Sequence, residues 1–228
     1  MKVAIDGPAG AGKSTIAKRV AKELGYIYVD TGAMYRAMAL YLLRKGISAD
    51  DQGGIESACA DADISITFRE GQQRVLLNGE DVTSSLRSES VGNMASASSA
   101  NGAVRKKLVE LQKRLAAETS VVMDGRDIGT VVLPDAEVKI FLTASSEVRA
   151  ERRYKELLEK SENEKSLTPA ALPSPETIKR DIEERDYRDM HREISPLQQA
   201  QDAVLLDSSL MSIHEVTDKI LELCRRKI

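Results

Sequence analysis

Near the amino terminus, the pattern of apolar and polar positions alternates between that of a strand and that of a helix. The apolar run over residues 3–5 predicts a buried strand, and Ile16, Val20 and Leu24 then recur at helical spacing. A second strand and a second helix follow over residues 26–46. Strands that alternate with helices in this way predict a parallel α/β sheet flanked by helices.

The pattern changes between residues 50 and 89. Ile64, Ile66 and Phe68 alternate with polar residues, which is the period of a strand. Further along, Asn78 and Gly79 form a dipeptide that commonly makes a tight hairpin turn. This stretch therefore predicts a small antiparallel β meander inserted into the parallel-sheet domain.

In the second half of the chain, strand and helix patterns alternate again. Apolar runs over 121–123, 138–142 and 203–206 predict further strands of the parallel sheet. The stretch 160–175 is rich in Ser, Glu, Lys and Pro, which is typical of a mobile segment between helices. A capping box at 212–215 opens the terminal helix.

Length and composition fit one domain with appendages, or one large and one small domain. The chain has 228 residues, of which 42% are hydrophobic and 30% charged, as in an ordinary globular protein. We expect a core formed by residues 1–30, 90–154 and 176–228. The region with the β insert spans 31–89, and a mobile lid spans about 155–175.

Charge and cysteine content argue against several classes of protein. The net charge of -3 and the 4% aromatic content do not favour nucleic-acid binding. Cys59 and Cys224 are too few for a disulfide scaffold or a metal site, and read as buried or incidental thiols. We see no signal peptide, and the apolar runs fall short of the ~20 residues that span a bilayer. We expect a cytoplasmic monomer with no nucleic-acid or membrane partner.

A glycine-rich loop lies between the first strand and the first helix. Gly7, Gly12, Lys13 and Ser14 fit the phosphate-loop pattern G-x-x-x-x-G-K-[ST]. Glycines let backbone N–H groups curl around a polyphosphate, and the start of the helix adds the positive end of its dipole. Lys13 can then reach the β- and γ-phosphates, and Ser14 can ligate Mg²⁺.

A glycine-rich loop can match this pattern by chance, but here the required strand precedes it and the required helix follows. The sequence therefore predicts binding of a nucleoside triphosphate. The predicted ATP-binding loop consists of Gly7, Pro8, Ala9, Gly10, Ala11, Gly12, Lys13, Ser14 and Thr15.

Acidic residues end three of the predicted strands, at the edge where open α/β sheets bind ligands. These residues are Asp6, Asp30 and Asp124. Asp124 ends an apolar strand in the manner of a Walker-B aspartate and can hold the magnesium shell through water. The alternative is that Asp124 merely caps a helix or a turn.

Arginines are concentrated in the predicted strand-end loops and beside the mobile segment. They are Arg36, Arg126, Arg149, Arg152, Arg153, Arg185, Arg188 and Arg192. Arg185, Asp189 and Arg192 continue the helical spacing of Ile178 and Ile182, so they share its inward face. Charged helices usually have a solvated charged face, but such a face would lie opposite the isoleucines.

Phosphoryl transfer explains a need for so many arginines. The reaction depends on positioning and on neutralising charge, and guanidinium groups bind phosphates bidentately. A flexible segment flanked by arginines is also typical of a lid that excludes water from ATP.

Four stretches together resemble the bacterial cytidylate kinases, within the nucleoside monophosphate kinase family of P-loop kinases. They are IDGPAGAGKST (5–15), DTGAMYR (30–36), MDGRDIGTVVLPDAEVKIFL (123–142) and ERDYRDMHR (184–192). The meander insert matches too, because an enlarged monophosphate-binding region distinguishes this family from adenylate kinases. The resemblance covers essentially the whole chain. It implies a P-loop NTPase fold in which residues 31–89 form the monophosphate-binding region.

The resemblance also implies which residues contact each part of the substrates. The acceptor phosphate would be bound by Thr31, Tyr35, Arg36, Arg126 and Arg192. The cytosine edge would be read by Ser96, Arg105 and Asp127, and the sugar contacted by Arg185 and Asp189. The donor phosphates or the lid would use Arg152, Arg153 and Arg188. The metal would be held by Ser14 and Asp124, and the catalytic set would be Lys13, Arg126, Asp127 and Arg188.

The activity implied is Mg²⁺-dependent transfer of a phosphoryl group from ATP to CMP or dCMP, in line and without a covalent intermediate. One alternative is a P-loop kinase with another acceptor, such as UMP, AMP or a small metabolite. An alternative of a different class is a non-enzymatic nucleotide switch, although the chain contains no N-K-x-D guanine-reading motif.

Overall fold

The computed structural model describes residues 1–164 and 172–227. The strands are β1 (Lys2–Asp6), β2 (Ile27–Asp30), β3 (Ile64–Arg69), β4 (Gln72–Leu77), β5 (Glu80–Asp81), β6 (Val121–Gly125), β7 (Val138–Thr143) and β8 (Val204–Asp207). The helices are α1 (Lys13–Leu24), α2 (Thr31–Arg44), α3 (Gln52–Asp61), α4 (Glu89–Ser98), α5 (Gly102–Glu118), α6 (Ser146–Glu164), α7 (Pro175–His191) and α8 (Ile213–Arg225).

The main sheet has five strands in the order β2-β6-β1-β7-β8, and every pair is parallel. The predicted α/β class with a central parallel sheet flanked by helices is therefore confirmed. β1 lies at the centre, so the loop after it emerges in the middle of the carboxyl edge. Ligands of open α/β sheets bind at such an edge.

Each face of the sheet has its own hydrophobic core. On β1, Val3 and Ile5 pack with α1 and α8, whereas Ala4 between them packs with α2, α5 and the insert. This division follows from the strand period of two, since successive side chains point to opposite faces. The central strands are buried on both sides, and their apolar runs reflect that.

The predicted antiparallel meander is confirmed as the sheet β3-β4-β5, with Asn78 and Gly79 in its turn. The flanking helices α3 and α4 were not predicted. In α3, two glycines follow the first residue, and its buried side chains are only Ile55, Ala58 and Cys59. Such a short and weakly apolar pattern carries little helical signal.

The segment between α6 and α7 is described only at its two ends. α6 runs to Glu164, so the stretch expected to be mobile from residue 160 begins as helix. Glu and Lys favour helix, and the first proline of the stretch is Pro169. Residues 165–171 of the predicted lid lie outside the described residues, and the lid stays a prediction. At the far end, Ser174 caps α7 as predicted and accepts a hydrogen bond from the Thr177 N–H.

None of the helices in the described ranges 1–164 and 172–227 combines the length and the apolarity that crossing a membrane requires.

Candidate active site

A cleft opens at the carboxyl edge of β1, β2 and β6. Of the predicted site residues, it is lined by Ala9, Gly10, Lys13, Ser14, Thr31, Tyr35, Arg36, Ser96, Arg105, Asp124, Arg126, Asp127, Arg185, Asp189 and Arg192. The structure thus brings the phosphate loop, the start of α2 and the charged face of α7 to one place. The remaining loop residues are Gly7, Pro8, Ala11, Gly12 and Thr15, which belong to the same loop and helix start without lining the cleft.

The phosphate loop passes very close to the neighbouring strand. A Cβ on Gly7, whose φ is +148°, would lie 1.9 Å from the carbonyl oxygen of Leu142. Only glycine allows this approach, which lets the loop curl over the end of the sheet. At the other end of the loop, the left-handed Gly12 (φ +88°) directs the chain into α1.

Lys13 is folded back onto its own loop. Its Nζ donates a hydrogen bond of 2.7 Å to the carbonyl of Pro8, and the residue is buried. Burial, assisted by the nearby Arg126 guanidinium, lowers the pKa of Lys13 well below its usual value. Within residues 1–164 and 172–227 this ammonium forms no ion pair, although Asp124 and Asp6 lie near enough to attract it, and a phosphate can supply the direct anionic partner.

Ser14 and Asp124 meet at the floor of the cleft. The Ser14 hydroxyl donates to Asp124 Oδ2 and the Tyr28 hydroxyl donates to Asp124 Oδ1, each at 2.8 Å. Burial and the neighbouring Asp30 carboxylate raise the pKa of Asp124 to about 6. The repulsion between the buried Asp124 and the half-buried Asp30 is relieved by a bound cation.

The chemistry of these oxygens fits Mg²⁺. At phosphoryl-transfer sites this ion takes one or two protein oxygens and completes its shell with phosphates and water. No cluster of three or more His, Cys, Asp or Glu side chains occurs within residues 1–164 and 172–227 that could hold a metal by itself. Ser14 and Asp124 therefore fit a metal that binds together with a nucleotide.

On the far side of the cleft, Arg105 of α5 forms a buried ion pair with Asp127. Asp127 follows β6 and precedes a single turn of π-helix over Ile128–Val132. Asp6, at the end of β1, fixes this turn by accepting hydrogen bonds from the N–H groups of Ile128 (2.8 Å) and Gly129 (2.7 Å). Burial raises the pKa of Asp6 to about 6.

The charged face of α7 closes the same side. Arg126 Nε donates to Asp189 Oδ2 at 2.8 Å. Burial alone would raise the pKa of Asp189, but Arg126, together with Arg185 and Arg192, holds that pKa below its usual value. Burial and the proximity of Arg126 lower the pKa of Arg185 to about 10. The helical spacing of Arg185, Asp189 and Arg192 predicted that these charged residues face inward, and all three line the cleft.

Several donors in this part of the cleft make no hydrogen bond to any described residue, although Arg192 Nη2 lies 4.0 Å from Asp127 Oδ1. Among the described residues, Tyr35 Oη, Arg185 Nε and Arg192 Nη2 are buried without a hydrogen bond. Leaving buried donors unpaired is costly, so native proteins keep such groups mainly where a ligand or water satisfies them. All three residues line the cleft, which indicates an anionic or oxygen-rich ligand there.

Three of the arginines that were predicted to contact a substrate lie outside the cleft lining in this structure. Arg152 donates to the carbonyl of Ser208 at 2.8 Å, and Arg153 pairs with Glu156 on the surface at 3.0 Å. Arg188 is exposed on the outer side of α7. Their predicted roles at the donor phosphates or the lid stay predictions.

Asp30 was given no role from the sequence, yet it lines the cleft. Its carboxylate caps α2 by accepting from the Ala33 N–H at 3.0 Å. Its backbone is held by Gln73 of the meander, whose amide accepts from the Asp30 N–H (2.8 Å) and donates to the Asp30 carbonyl (3.1 Å). The position of Asp30 at a strand end was the signal for a site residue, whereas nothing in the sequence pointed to Gln73.

A central parallel strand, a phosphate loop and a facing arginine-lined pocket define a P-loop phosphotransferase. The family model for cytidylate kinase matches residues 3–226. The chain therefore belongs to the cytidylate kinase family.

Two cytidylate kinases are similar to this chain over nearly the full length of both proteins. The cytidylate kinase of Carboxydothermus hydrogenoformans is 48% identical over 227 residues, covering 100% of this chain and 98% of the relative. That of Caldicellulosiruptor saccharolyticus is 49% identical over 223 residues, covering 98% and 95%. Among solved structures, a shikimate kinase from Bacteroides thetaiotaomicron aligns with a TM-score of 0.49 and 12% identity, covering 99% of this chain and 98% of that one.

Proposed function

We propose that this protein transfers the γ-phosphoryl group of ATP to CMP or dCMP, giving ADP and CDP or dCDP, with Mg²⁺. The observation that carries the proposal is a single cleft lined by Lys13 of the phosphate loop and by the Arg105–Asp127 pair. Lys13 and its loop suit a triphosphate, and the Arg105–Asp127 pair suits the edge of a cytosine. Full-length similarity to cytidylate kinases supports the same pair of substrates.

On the donor side, the loop N–H groups and Lys13 bind the β- and γ-phosphates of ATP. Nucleotide binding draws Lys13 Nζ from the Pro8 carbonyl to the phosphates, which exchanges a neutral acceptor for an anionic one. Ser14 and Asp124 would hold the metal, which would supply positive charge to neutralise the donor phosphates.

On the acceptor side, arginines bind the phosphate of CMP. The arginines that bind this phosphate are Arg36, Arg126 and Arg192, and Tyr35 and Thr31 lie beside them. The cleft is lined by six cationic and four acidic side chains, so its lining carries an excess of positive charge. Such an excess favours two phosphate-bearing substrates and the charge that spreads over the transferred group.

The base is recognised by complementary hydrogen bonds. Cytosine presents an amino donor at N4 and acceptors at N3 and O2. Asp127 accepts from N4, while Arg105 and Ser96 donate to the acceptors. Uracil carries an oxygen where cytosine carries the amino group, so an ionised Asp127 disfavours it. Arg185 and Asp189 contact the sugar.

The attacking group needs no dedicated base, because a phosphate oxygen of CMP is already anionic. The chain's contribution is therefore to hold donor and acceptor in line and to exclude water. A contact of Arg152, Arg153 or Arg188 with the donor phosphates stays a prediction. Action as a monomer in the cytoplasm stays a prediction.

A panel of acceptors tests the proposal. Purified protein is given ATP and Mg²⁺ with CMP, dCMP, UMP or AMP, and release of ADP is followed. ADP release that depends on CMP or dCMP supports the proposal and excludes a nucleotide switch. Faster turnover with UMP, AMP or a metabolite would replace the acceptor while leaving the kinase class intact.

The Lys13→Ala variant tests the phosphate-loop assignment in the same assay. Turnover should be abolished while the affinity for CMP, measured by calorimetry, changes little. Turnover that survives this substitution would show that the phosphate-loop assignment is wrong.

A further inference from the structure

Arg149, in the first turns of α6, is buried outside the cleft and connects three parts of the molecule. Its Nε donates to the carbonyl of Ala144 at 2.8 Å, just before its own helix. Its Nη1 donates to the carbonyl of Ala9 in the phosphate loop at 2.9 Å. The same Nη1 lies 2.7 Å from Asp186 Oδ2 on α7. One guanidinium group thus bridges the phosphate loop, α6 and α7.

The contact with the phosphate loop is made by both the charged end and the stem of Arg149. A Cβ on Gly10, whose φ is +75°, would lie 3.4 Å from the Cβ of Arg149, so the loop packs directly against the arginine stem. Ala9 and Gly10 line the cleft, and Pro8 beside them holds Lys13. The position of Arg149 therefore determines where the donor side of the cleft lies.

The contact with α7 is equally specific. Asp186 lies between Arg185 and Asp189, two residues of α7 that line the acceptor side of the cleft. Asp186 is itself buried, and its Oδ1 has no hydrogen-bond partner among the described residues. Arg149 is therefore the cation that balances this buried carboxylate.

We propose that Arg149 and Asp186 are positioning residues that fix the separation between the phosphate loop and α7, and hence between the donor and acceptor phosphates. The inference rests on the proposed function for the identity of the two substrates. Ala9 and Gly10 of the phosphate loop lie on one side of the bridge, and Arg185 and Asp189 of α7 lie on the other. Breaking the bridge therefore leaves each substrate bound but misaligns the two for in-line transfer, and misplacement by about 1 Å can cost about 10²-fold in rate.

The double variant Arg149→Met/Asp186→Leu separates positioning from stability. It removes both buried charges at similar volume, and such replacements of a buried ion pair are often neutral or stabilising. The thermal midpoint should stay within a few degrees of the parent, and the Kd values of ATP and CMP, each measured alone, within about threefold. With both substrates saturating, kcat should fall by about 10–100-fold.

Two further variants complete the test. Asp186→Asn keeps the shape of the side chain and an acceptor for Arg149. It should also lower kcat, by a smaller factor than the double variant does. Its readouts decide the question if the double variant fails to fold. Glu151→Gln is the matched control, because Glu151 lies on α6, is exposed and pairs with Lys155 on the surface. This control should leave kcat and both Kd values unchanged.

A folded double variant or Asp186→Asn variant that turns over at the parental rate would overturn the inference. So would a loss of affinity for ATP or CMP as large as the loss in kcat, since that would make the pair part of a binding site. Failure of the parent protein to bind or phosphorylate CMP is a separate result. That result would overturn the proposed function itself, and the inference with it.

Discussion

The hydroxyl of Ser14 donates a 2.8 Å hydrogen bond to Asp124 Oδ2, although 110 positions separate the two residues in the chain. The contact follows from the sheet, because β1 and β6 are parallel neighbours with Ile5 opposite Asp124. The loop after β1 and the carboxyl end of β6 must then share one edge. The two residues proposed to hold Mg²⁺ are thus placed by strand register rather than by a local motif.

We expect Asp124→Asn to weaken the response of the enzyme to Mg²⁺. The amide keeps the shape and an acceptor for Ser14 but removes the negative charge that attracts the cation. The Mg²⁺ concentration for half-maximal rate should rise by about tenfold or more, since one charge-assisted contact is worth at least about 1.4 kcal/mol. A Mg²⁺ titration at fixed ATP and CMP measures this.

Asp135→Asn serves as the control for that titration. Asp135 is an exposed aspartate that does not line the cleft, and its substitution should leave the Mg²⁺ response unchanged. Equal Mg²⁺ requirements for the parent and Asp124→Asn would remove Asp124 from the metal site.

Asp127→Asn should lower discrimination between cytosine and uracil. The carboxylate can only accept a hydrogen bond, whereas the amide can also donate one to the oxygen that uracil carries. We expect kcat/KM for CMP to fall by about 10–100-fold, since hydrogen bonds to charged groups are worth about 1.5–3 kcal/mol. The loss for UMP should be smaller.

The ratio of kcat/KM for CMP to that for UMP is the measurement, because it does not depend on the fraction of protein that is folded. That safeguard matters here, since the substitution also disturbs the buried pair with Arg105. An unchanged ratio would show that Asp127 does not read the base.

The sequence was sufficient to predict the parts of the fold that follow from strong periodicity. The central strands β1 and β6 appeared as apolar runs because they are buried on both faces, and the meander appeared as a strict alternation. Helix α4 was missed because its buried face is built from Val91 and Met94 among small polar residues. Small residues give only a weak alternation of apolar and polar positions at helical spacing. Tertiary packing rather than intrinsic propensity then decides whether the segment is helical.

The candidate site was predictable where a residue type has a fixed chemical use at a strand end or on a helix face. Lys13, Asp124 and Arg185 were predicted in this way, and all three line the cleft. Asp186 was not, because it lies off the face that indicated the charged strip, and its partner Arg149 is reached only through tertiary structure. Residues that act by holding other residues leave no local pattern in a single sequence.

The buried Asp6 should make stability depend on pH. Its pKa is about 6 in the folded protein, against 3.8 for an ordinary aspartate, so the folded state binds the proton more tightly. The contribution of Asp6 to stability is therefore complete below about pH 4 and is lost as pH rises through about 6. Two units of pKa correspond to about 3 kcal/mol.

Comparison with Asp6→Asn isolates this effect, since the amide does not titrate. The free energy of unfolding of the parent minus that of the variant, from urea titrations, should fall between pH 4 and 7 and stay constant above. A difference that rises with pH, or does not change, would mean that burial does not dominate the pKa of Asp6.

Gln73 should affect acceptor binding although it does not line the cleft. Its amide both accepts from and donates to the backbone of Asp30, and Asp30 caps the helix that carries Tyr35 and Arg36. Gln73→Glu keeps the size of the side chain but cannot donate to the Asp30 carbonyl, and it sets a carboxylate against that oxygen. Loss of a buried hydrogen bond costs about 1–3 kcal/mol. We expect the residues at the start of α2 to move and relieve part of that cost.

We therefore expect Gln73→Glu to raise the KM for CMP by about 3–10-fold, a fraction of that free energy, while the Kd of ATP stays unchanged. Gln72→Glu is the matched control, because it introduces the same charge one position earlier in β4 on an exposed side chain. Equal effects of the two substitutions would point to the added charge alone. A larger effect at position 73, confined to CMP, would show that the meander helps to set the geometry of the acceptor site through Asp30.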